Sequence, residues 1–136
     1  MTHNPLRPLS PSETEILRLL WSLNAATVQD VCDRLPRTRR IAYATVQTLL
    51  RRLEKKGYVA HEVKGKAHVF RPAVRRDQVI RRSVGDFVER LFGGDPAPLM
   101  MHLAEECHLN EEDHERLKNI IARAGKREEG EERETP

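Results

Sequence analysis

Two stretches on either side of Pro36 share the same spacing of apolar residues. In each, apolar side chains recur at i, i+3, i+4 and i+7, which is the repeat of one face of an α-helix. The positions are Val28, Val31, Cys32 and Leu35 in the first stretch and Val46, Leu49, Leu50 and Leu53 in the second. Pro36 cannot continue the first helix, and the residues 37–40 that follow are mostly arginine. The chain is therefore expected to form two helices joined by a short basic turn.

One helix precedes this pair and a β-hairpin follows it. The first helix is expected to be capped by Ser10 or Ser12. Two strands are predicted over 58–63 and 67–71, because the Lys-Gly-Lys sequence at 64–66 is typical of a tight turn. Helix, helix, basic turn, helix and hairpin is the order of a winged helix-turn-helix. The predicted fold is thus mainly α with a small β-hairpin, the wing.

Basic residues are concentrated in this half of the chain. Residues 1–74 carry 13 Lys or Arg against 6 Asp or Glu, whereas residues 75–136 carry 11 against 15. Residues 37–71 alone carry 10 basic and 2 acidic side chains. Charge by itself fits a polyanion-binding face or a solvated basic surface equally well. The placement favours DNA, because the cations gather on one side of the third helix and at the tip of the hairpin.

The third helix, from about Ala42 to Lys56, is expected to enter the major groove of DNA, which is wide enough for a helix. The side opposite its apolar stripe carries short polar residues suited to base edges and cations suited to phosphates. Base contacts are expected from Ala44, Thr45, Gln47, Thr48 and Arg51. Phosphate contacts are expected from Arg39, Arg40, Arg52 and Lys55. Lys64 and Lys66, at the hairpin tip, are expected to reach the backbone or an adjacent minor groove.

The second half of the chain has helical patterns but too few residues for a core of its own. Three helices are predicted there, and their apolar stripes must pack on the first domain or on the same segment of a second chain. A symmetric homodimer is the commonest oligomer, and it would place two third helices about one DNA turn, or a multiple of it, apart. The expected dimerisation residues are Ile80, Val84, Phe87, Leu91, Leu99, Leu103, Leu117, Ile120 and Ile121.

These patterns divide the chain into four parts. Residues 1–9 are expected to form a flexible arm and residues 10–74 the winged-helix DNA-binding domain. Residues 75–125 are expected to form the helical dimerisation region, whose last helix ends at Gly125. The charged tail at 126–136 contains no apolar residue and is predicted to be disordered.

Several classes of protein are disfavoured by the same sequence. No apolar run approaches the roughly 20 residues of a membrane-spanning helix, and the N-terminus lacks the apolar stretch of a secretory signal. Cys32 and Cys107 do not make a disulfide framework. We therefore expect a cytoplasmic protein without membrane insertion. Because no nucleophile motif, phosphate loop or paired-carboxylate pattern is present, neither an enzyme nor a cofactor is expected.

The most specific stretch of the sequence is AYATVQTLLRRLEKKGYV at 42–59. It is accompanied by LSPSETEILRLLW (9–21), ATVQDV (26–31), FRPAV (70–74) and LFGGDPAPL (91–99). Together these stretches resemble the penicillinase-repressor family of bacterial transcription regulators, which includes the β-lactamase and methicillin-resistance repressors. The resemblance covers about residues 8–124. It implies an N-terminal winged helix, a C-terminal helical dimerisation region and a dimeric repressor that binds a palindromic operator in double-stranded DNA.

The resemblance also implies how repression is relieved. In resistance-type members, a membrane-bound sensor protease system leads to cleavage in the C-terminal region, typically of an Asn-Phe bond. The corresponding pair here is His102-Leu103, which keeps an apolar second residue but lacks the asparagine. A copper-responsive branch of the family carries paired Cys-x-Cys motifs near its C-terminus, and this chain has none.

Two alternatives interpret the same residues differently. The first is a metal- or redox-responsive regulator on the same scaffold, since His102, Cys107, His108 and His114 are metal-ligand types. No pair among them has C-x-x-C spacing, and adjacent Cys107 and His108 aim poorly at one ion, so no metal site is predicted. The second is a protein-interaction module whose basic face meets an acidic protein and shows no preference among duplexes.

Overall fold

The computed structural model describes residues 7–39 and 41–134. Its elements are α1 (Pro11–Leu23), α2 (Val28–Arg34), one turn of 3-10 helix (Arg37–Arg39), α3 (Tyr43–Lys55), β1 (Val59–Lys64), β2 (Ala67–Pro72), α4 (Arg76–Phe92), α5 (Ala97–Glu106) and α6 (Glu111–Glu134). The predicted order of elements is confirmed, and the fold is a winged helix-turn-helix followed by three helices. The chain forms two compact units that divide between Val84 and Gly85.

Capping boxes begin both α1 and α2. Ser10 Oγ accepts a hydrogen bond from the Glu13 N–H at 3.1 Å, and the Glu13 carboxylate accepts from the Ser10 N–H at 2.8 Å. Thr27 and Asp30 exchange the same two bonds at 3.1 and 3.0 Å. Each box satisfies two N–H groups that the first turn of a helix would otherwise leave without partners. Of the two serines considered for the first cap, Ser10 is the one used.

The core of the first unit lies between α1, α2, α3 and the hairpin. Its fully buried apolar side chains are Ile16, Leu17, Leu20, Val31, Val46, Leu50 and Leu53. The predicted stripes of α2 and α3 therefore face inward, although Cys32 and Leu35 are only partly buried against this core. Burial, with a smaller contribution from neighbouring Asp33, raises the pKa of the Cys32 thiol, which favours its neutral form.

The hairpin is tied to the helices through its backbone. β1 and β2 pair antiparallel up to Lys64 and Ala67, and the two-residue turn between them uses Gly65 at φ +64°. Ala26 and Phe70 exchange backbone hydrogen bonds of 2.9 and 2.8 Å. The segment between α1 and α2 thus adds a bridge to β2, and this bridge fixes the base of the wing.

The last three helices begin inside the first unit. Val79 of α4 is buried in its core, so this unit continues past residue 74 to Val84. In the second unit, Asn110 caps α6 by accepting from the Asp113 N–H at 2.7 Å. No helix among residues 7–39 and 41–134 combines the length and apolar character needed to cross a bilayer.

The helix α6 does not end at Gly125. Its backbone is helical to Glu134, so the predicted helix end is wrong. The disorder of the tail at 126–136 stays a prediction. The stretch is rich in Glu, Arg and Lys, which are good helix formers, and each of the two glycines of α6, Gly125 and Gly130, costs only about 1 kcal/mol. A lack of apolar residues excludes a buried face but does not exclude a solvated helix. Residues 135–136 of the predicted tail, and 1–6 of the predicted arm, lie outside the described residues.

Candidate DNA-binding surface

The outward side of α3 is set by what its other side buries. Val46, Leu49, Leu50 and Leu53 are at most 5% exposed. On the opposite side, Ala44, Thr45, Thr48, Arg51, Arg52 and Lys55 are all exposed, and Gln47 lies half-buried at the edge. These seven residues form one continuous surface, which we call the α3 face. The structure thus brings together all the positions of α3 that the sequence singled out.

The cations of the α3 face are free to meet an anion. Arg51, Arg52 and Lys55 make no ion pair within the part of the chain that the structure describes. Arg52 and Lys55 also stand in the last turn of the helix, where the helix dipole favours positive charge. A surface with uncompensated guanidinium and ammonium groups attracts phosphate and releases counterions when it binds.

The Thr48 side chain already makes a hydrogen bond within α3. Its hydroxyl donates to the Ala44 carbonyl at 2.9 Å. The hydroxyl proton is therefore used, and what remains is an oxygen that accepts hydrogen bonds and a methyl group. A methyl group at this position suits contact with the methyl of thymine.

The tip of the wing carries the second group of predicted contacts. Lys64 and Lys66 are exposed and form no ion pair with any described residue. By contrast, Arg71 on β2 pairs with Glu62 on β1 at 3.2 Å. On the wing, free positive charge is thus located at the turn, where a backbone or a minor groove can be reached.

The basic turn before α3 differs from the expectation of two free phosphate clamps. Arg39 Nε lies 3.0 Å from the Glu15 carboxylate of α1. The guanidinium of Arg39 is therefore held towards α1 rather than presented beside the α3 face. Arg40, the other predicted contact, lies outside the described residues.

Sequence reasoning missed Tyr43, the first residue of α3, whose side chain is 52% exposed. The N-cap Ala42 offers no side-chain hydrogen bond, so N–H groups of the first turn remain available. A tyrosine hydroxyl is a common donor to DNA phosphates. The signal was present in the sequence, because Tyr43 is a large side chain outside the apolar stripe of α3.

A contact between α3 and the wing was also missed. His61 Nδ1 on β1 lies 2.5 Å from the Glu54 carboxylate on α3. The His61 ring stacks on His68 at a centroid distance of 4.7 Å and lies 5.4 Å from Phe70. This contact couples the direction of the wing to the end of α3, so both parts of the surface hold one relative position.

Most of the predicted dimerisation residues are exposed apolar side chains. Ile80, Val84, Phe87, Leu91, Leu103, Ile120 and Ile121 are between 44% and 65% exposed. Leu99 and Leu117 are half-buried. Large apolar side chains exposed in such number are typical of an interaction surface. His102 and Leu103, the pair predicted as a cleavage position, are both exposed within α5.

The metal-ligand residues near the end of α5 do not converge. Cys107 is exposed, and His102, His108 and His114 are exposed as well. Among the described residues, no three His, Cys, Asp or Glu side chains lie together in a way that would hold an ion.

Comparison with known proteins places the chain in a family. The family model described as penicillinase repressor matches residues 9–123. The chain belongs to the penicillinase repressor family. This family consists of DNA-binding transcriptional repressors, and the match covers the winged helix, α4, α5 and the first half of α6.

Individual members of the penicillinase repressor family are similar over most of their length. The penicillinase repressor of Bacillus licheniformis is 26% identical over 113 residues, which are 83% of this chain and 88% of that protein. The methicillin resistance regulatory protein MecI of Mammaliicoccus sciuri is 22% identical over 118 residues, 87% of this chain and 96% of that one. A solution structure of monomeric Bacillus licheniformis BlaI with the blaP half-operator is 28% identical and covers 53% of this chain and 88% of that chain, with a TM-score of 0.46.

Proposed function

We propose that this protein is a homodimeric, sequence-specific repressor that binds a palindromic operator through the α3 face and the wing. The observation that carries the proposal is the α3 face itself, an exposed helix side with short polar residues and three cations that form no ion pair with a described residue. Membership of the penicillinase repressor family supports it. Such a repressor acts in the cytoplasm, where bacterial DNA lies.

The residues of the α3 face divide by chemistry into two roles. Arg51 and Gln47 read bases, because guanidinium pairs bidentately with guanine and a side-chain amide with adenine. The methyl groups of Ala44, Thr45 and Thr48 pack on thymine. Arg52, Lys55, Lys64 and Lys66, together with Arg40, hold phosphates and so set register and affinity rather than sequence choice.

The exposed apolar side chains of α4, α5 and α6 support dimerisation. Burial of apolar surface contributes roughly 25 cal/mol per Å², and residues such as Phe87 and Leu91 leave much of theirs in water. A second copy of the same surface covers them in a two-fold arrangement. Two α3 faces related by a two-fold axis read the two halves of a palindrome.

Transcription in vitro tests the repressor function. A duplex that the protein selects is placed across a promoter, and transcript is measured as the protein is added. The proposal expects transcript to fall in proportion to occupancy of the duplex, and an Arg51→Ala, Arg52→Ala chain should leave it unchanged. Unaltered or increased transcript at full occupancy would contradict repression while leaving DNA binding intact.

We further propose that repression is relieved by cleavage between His102 and Leu103, through a membrane-bound sensor protease system. Both side chains are exposed, which gives a protease access. Because the bond lies within α5, the helix must open locally before cleavage. The intact mass of the protein recovered from cells before and after loss of repression tests this. A fragment that ends at His102 supports the proposal, and an uncut chain after full derepression contradicts it.

A further inference from the structure

A groove on the first unit lies apart from the α3 face. It is an open cavity of about 970 Å³ beside α1, at the end of α2 and the start of α4. Its lining includes Arg18, Arg34, Arg39 and Arg76, and we call it the arginine groove. Within the part of the chain that the structure describes, neither α3 nor the wing contributes to this lining.

The charge of the arginine groove is largely uncompensated. Arg39 pairs with Glu15 at 3.0 Å. Among the described residues, no hydrogen bond or ion pair engages the guanidinium groups of Arg18, Arg34 and Arg76. Free guanidinium groups in one concave site raise the local concentration of anions, and each offers a planar fork that matches a carboxylate.

The arginine groove also has apolar walls. Leu19 and Trp21 line it together with two prolines. The indole N–H of Trp21 donates to the Val74 carbonyl at 3.1 Å, which holds the half-buried ring in place. A rigid aromatic side chain beside free arginines is the kind of surface that anchors peptides.

The free arginines and the apolar walls of the groove together favour one class of anionic ligand over others. A duplex offers phosphates but no apolar side chain to place beside Leu19 and Trp21. A small molecule needs a site that encloses most of its surface, whereas this groove is open to solvent. A peptide that alternates carboxylates with apolar side chains matches both the charge and the walls of the groove.

We propose that the arginine groove binds an acidic peptide segment of a partner protein. Carboxylates of the segment pair with Arg18, Arg34 and Arg76, and an apolar side chain packs beside Trp21. Because the groove and the α3 face share no lining residue, the protein binds the segment and the operator at the same time. The groove is thus a contact through which a DNA-bound repressor engages a second protein.

Trp21 makes the proposal directly testable, because it is the only tryptophan in the chain. The full chain is titrated with a synthetic peptide that alternates Glu and Leu, and Trp21 emission and its quenching by acrylamide are followed. We expect a saturable change in emission and reduced quenching. The double variant Arg18→Glu, Arg34→Glu should bind the peptide with roughly tenfold or more lower affinity, because charge-paired anchors are lost. Its affinity for a selected duplex should be unchanged.

The matched control carries the same change of charge on the α3 face. The double variant Arg51→Glu, Arg52→Glu should no longer bind the duplex but should bind the peptide with unchanged affinity. The two variants therefore test the peptide-binding proposal and the DNA-binding proposal separately. Thermal melting tests whether both variants fold. If the Arg18→Glu, Arg34→Glu chain does not fold, the single variant Arg18→Gln replaces it. No emission change at low salt, or equal peptide affinity in the Arg18→Glu, Arg34→Glu chain, would overturn the proposal. A peptide that alternates Glu and Ser and binds as tightly as the Glu-Leu peptide would also overturn the proposal. Loss of duplex affinity in the Arg18→Glu, Arg34→Glu chain would overturn it too, because the groove would then be a surface that contacts the DNA backbone.

Discussion

The ammonium group of Lys56 lies 2.6 Å from the carboxylate of Glu13, which is only 2% exposed. The same ammonium donates to the Pro8 carbonyl at 2.9 Å. Burial alone would raise the pKa of Glu13, but hydrogen bonds from Lys56 and Ser10 outweigh it and lower the pKa below its ordinary value. This ion pair fastens the end of α3 to the start of α1, so the α3 face keeps a fixed position on the first unit.

Replacing Lys56 by Met should destabilise the protein, because it leaves the Glu13 carboxylate buried without its cation. The expected loss is about 1–3 kcal/mol of unfolding free energy, measured by urea denaturation at pH 7. Lys55→Met is the matched control. Lys55 is exposed and forms no ion pair with any residue that the structure describes, so its loss should cost no more than about 0.5 kcal/mol.

The same pair predicts a dependence on pH. The folded-state pKa of Glu13 is lowered, so its stabilisation is complete above about pH 4.5 and is lost as pH falls through that folded-state pKa. The stability difference between the wild-type chain and Lys56→Met should therefore narrow as the pH is lowered below about 4.5. A difference that stays constant from pH 7 to pH 3 would show that the pair is not the cause.

Arg51→Ala should weaken a selected duplex by roughly 1–3 kcal/mol and reduce its advantage over random DNA, since a bidentate base contact is lost. Competition binding at fixed salt measures both quantities. Arg82→Ala removes an exposed arginine from α4 and should change neither. Equal losses on selected and random duplexes for Arg51→Ala would assign this side chain to phosphate instead.

Lys64→Ala should lower the affinity for all duplexes by the same factor. Loss of one phosphate contact lowers the number of counterions released by about one, so the plot of log affinity against log salt becomes shallower by about 0.9. Affinities at several salt concentrations give this slope. A changed sequence preference with an unchanged slope would instead place Lys64 against a base edge.

Phe87→Asp should give a monomer, because Phe87 is 44% exposed and a charge there cannot be buried against a second copy. Its ring lies 5.9 Å from Phe92 in an edge contact, so local packing partly remains. Light scattering at several concentrations measures the mass. Arg90→Asp on the same helix should leave the dimer intact, and an unchanged mass for Phe87→Asp would remove this surface from the interface.

The apolar repeat of α3 was sufficient to predict its buried side and hence its exposed one. The repeat could not predict that Lys55 is exposed while Lys56 forms an ion pair. Both lysines come after the last apolar residue of the repeat, and only the tertiary contact with Glu13 distinguishes them. The ion pair of Arg39 was not predicted for the same reason: its partner Glu15 lies on another helix, 24 residues earlier in the chain. The end of α6 was missed because composition indicates whether a helix can be buried, not whether a solvated one forms.

The most direct test of two copies that hold a palindrome through the α3 face is selection of bound duplexes from a random pool, with the wild-type chain and with Arg51→Ala. The wild-type chain should enrich an inverted repeat whose half-site centres are about 10 base pairs, or a multiple of this, apart. Arg51→Ala should relax the preference at one position in each half-site, symmetrically. Enrichment without symmetry, no enrichment at all, or an identical preference in the variant would contradict the account.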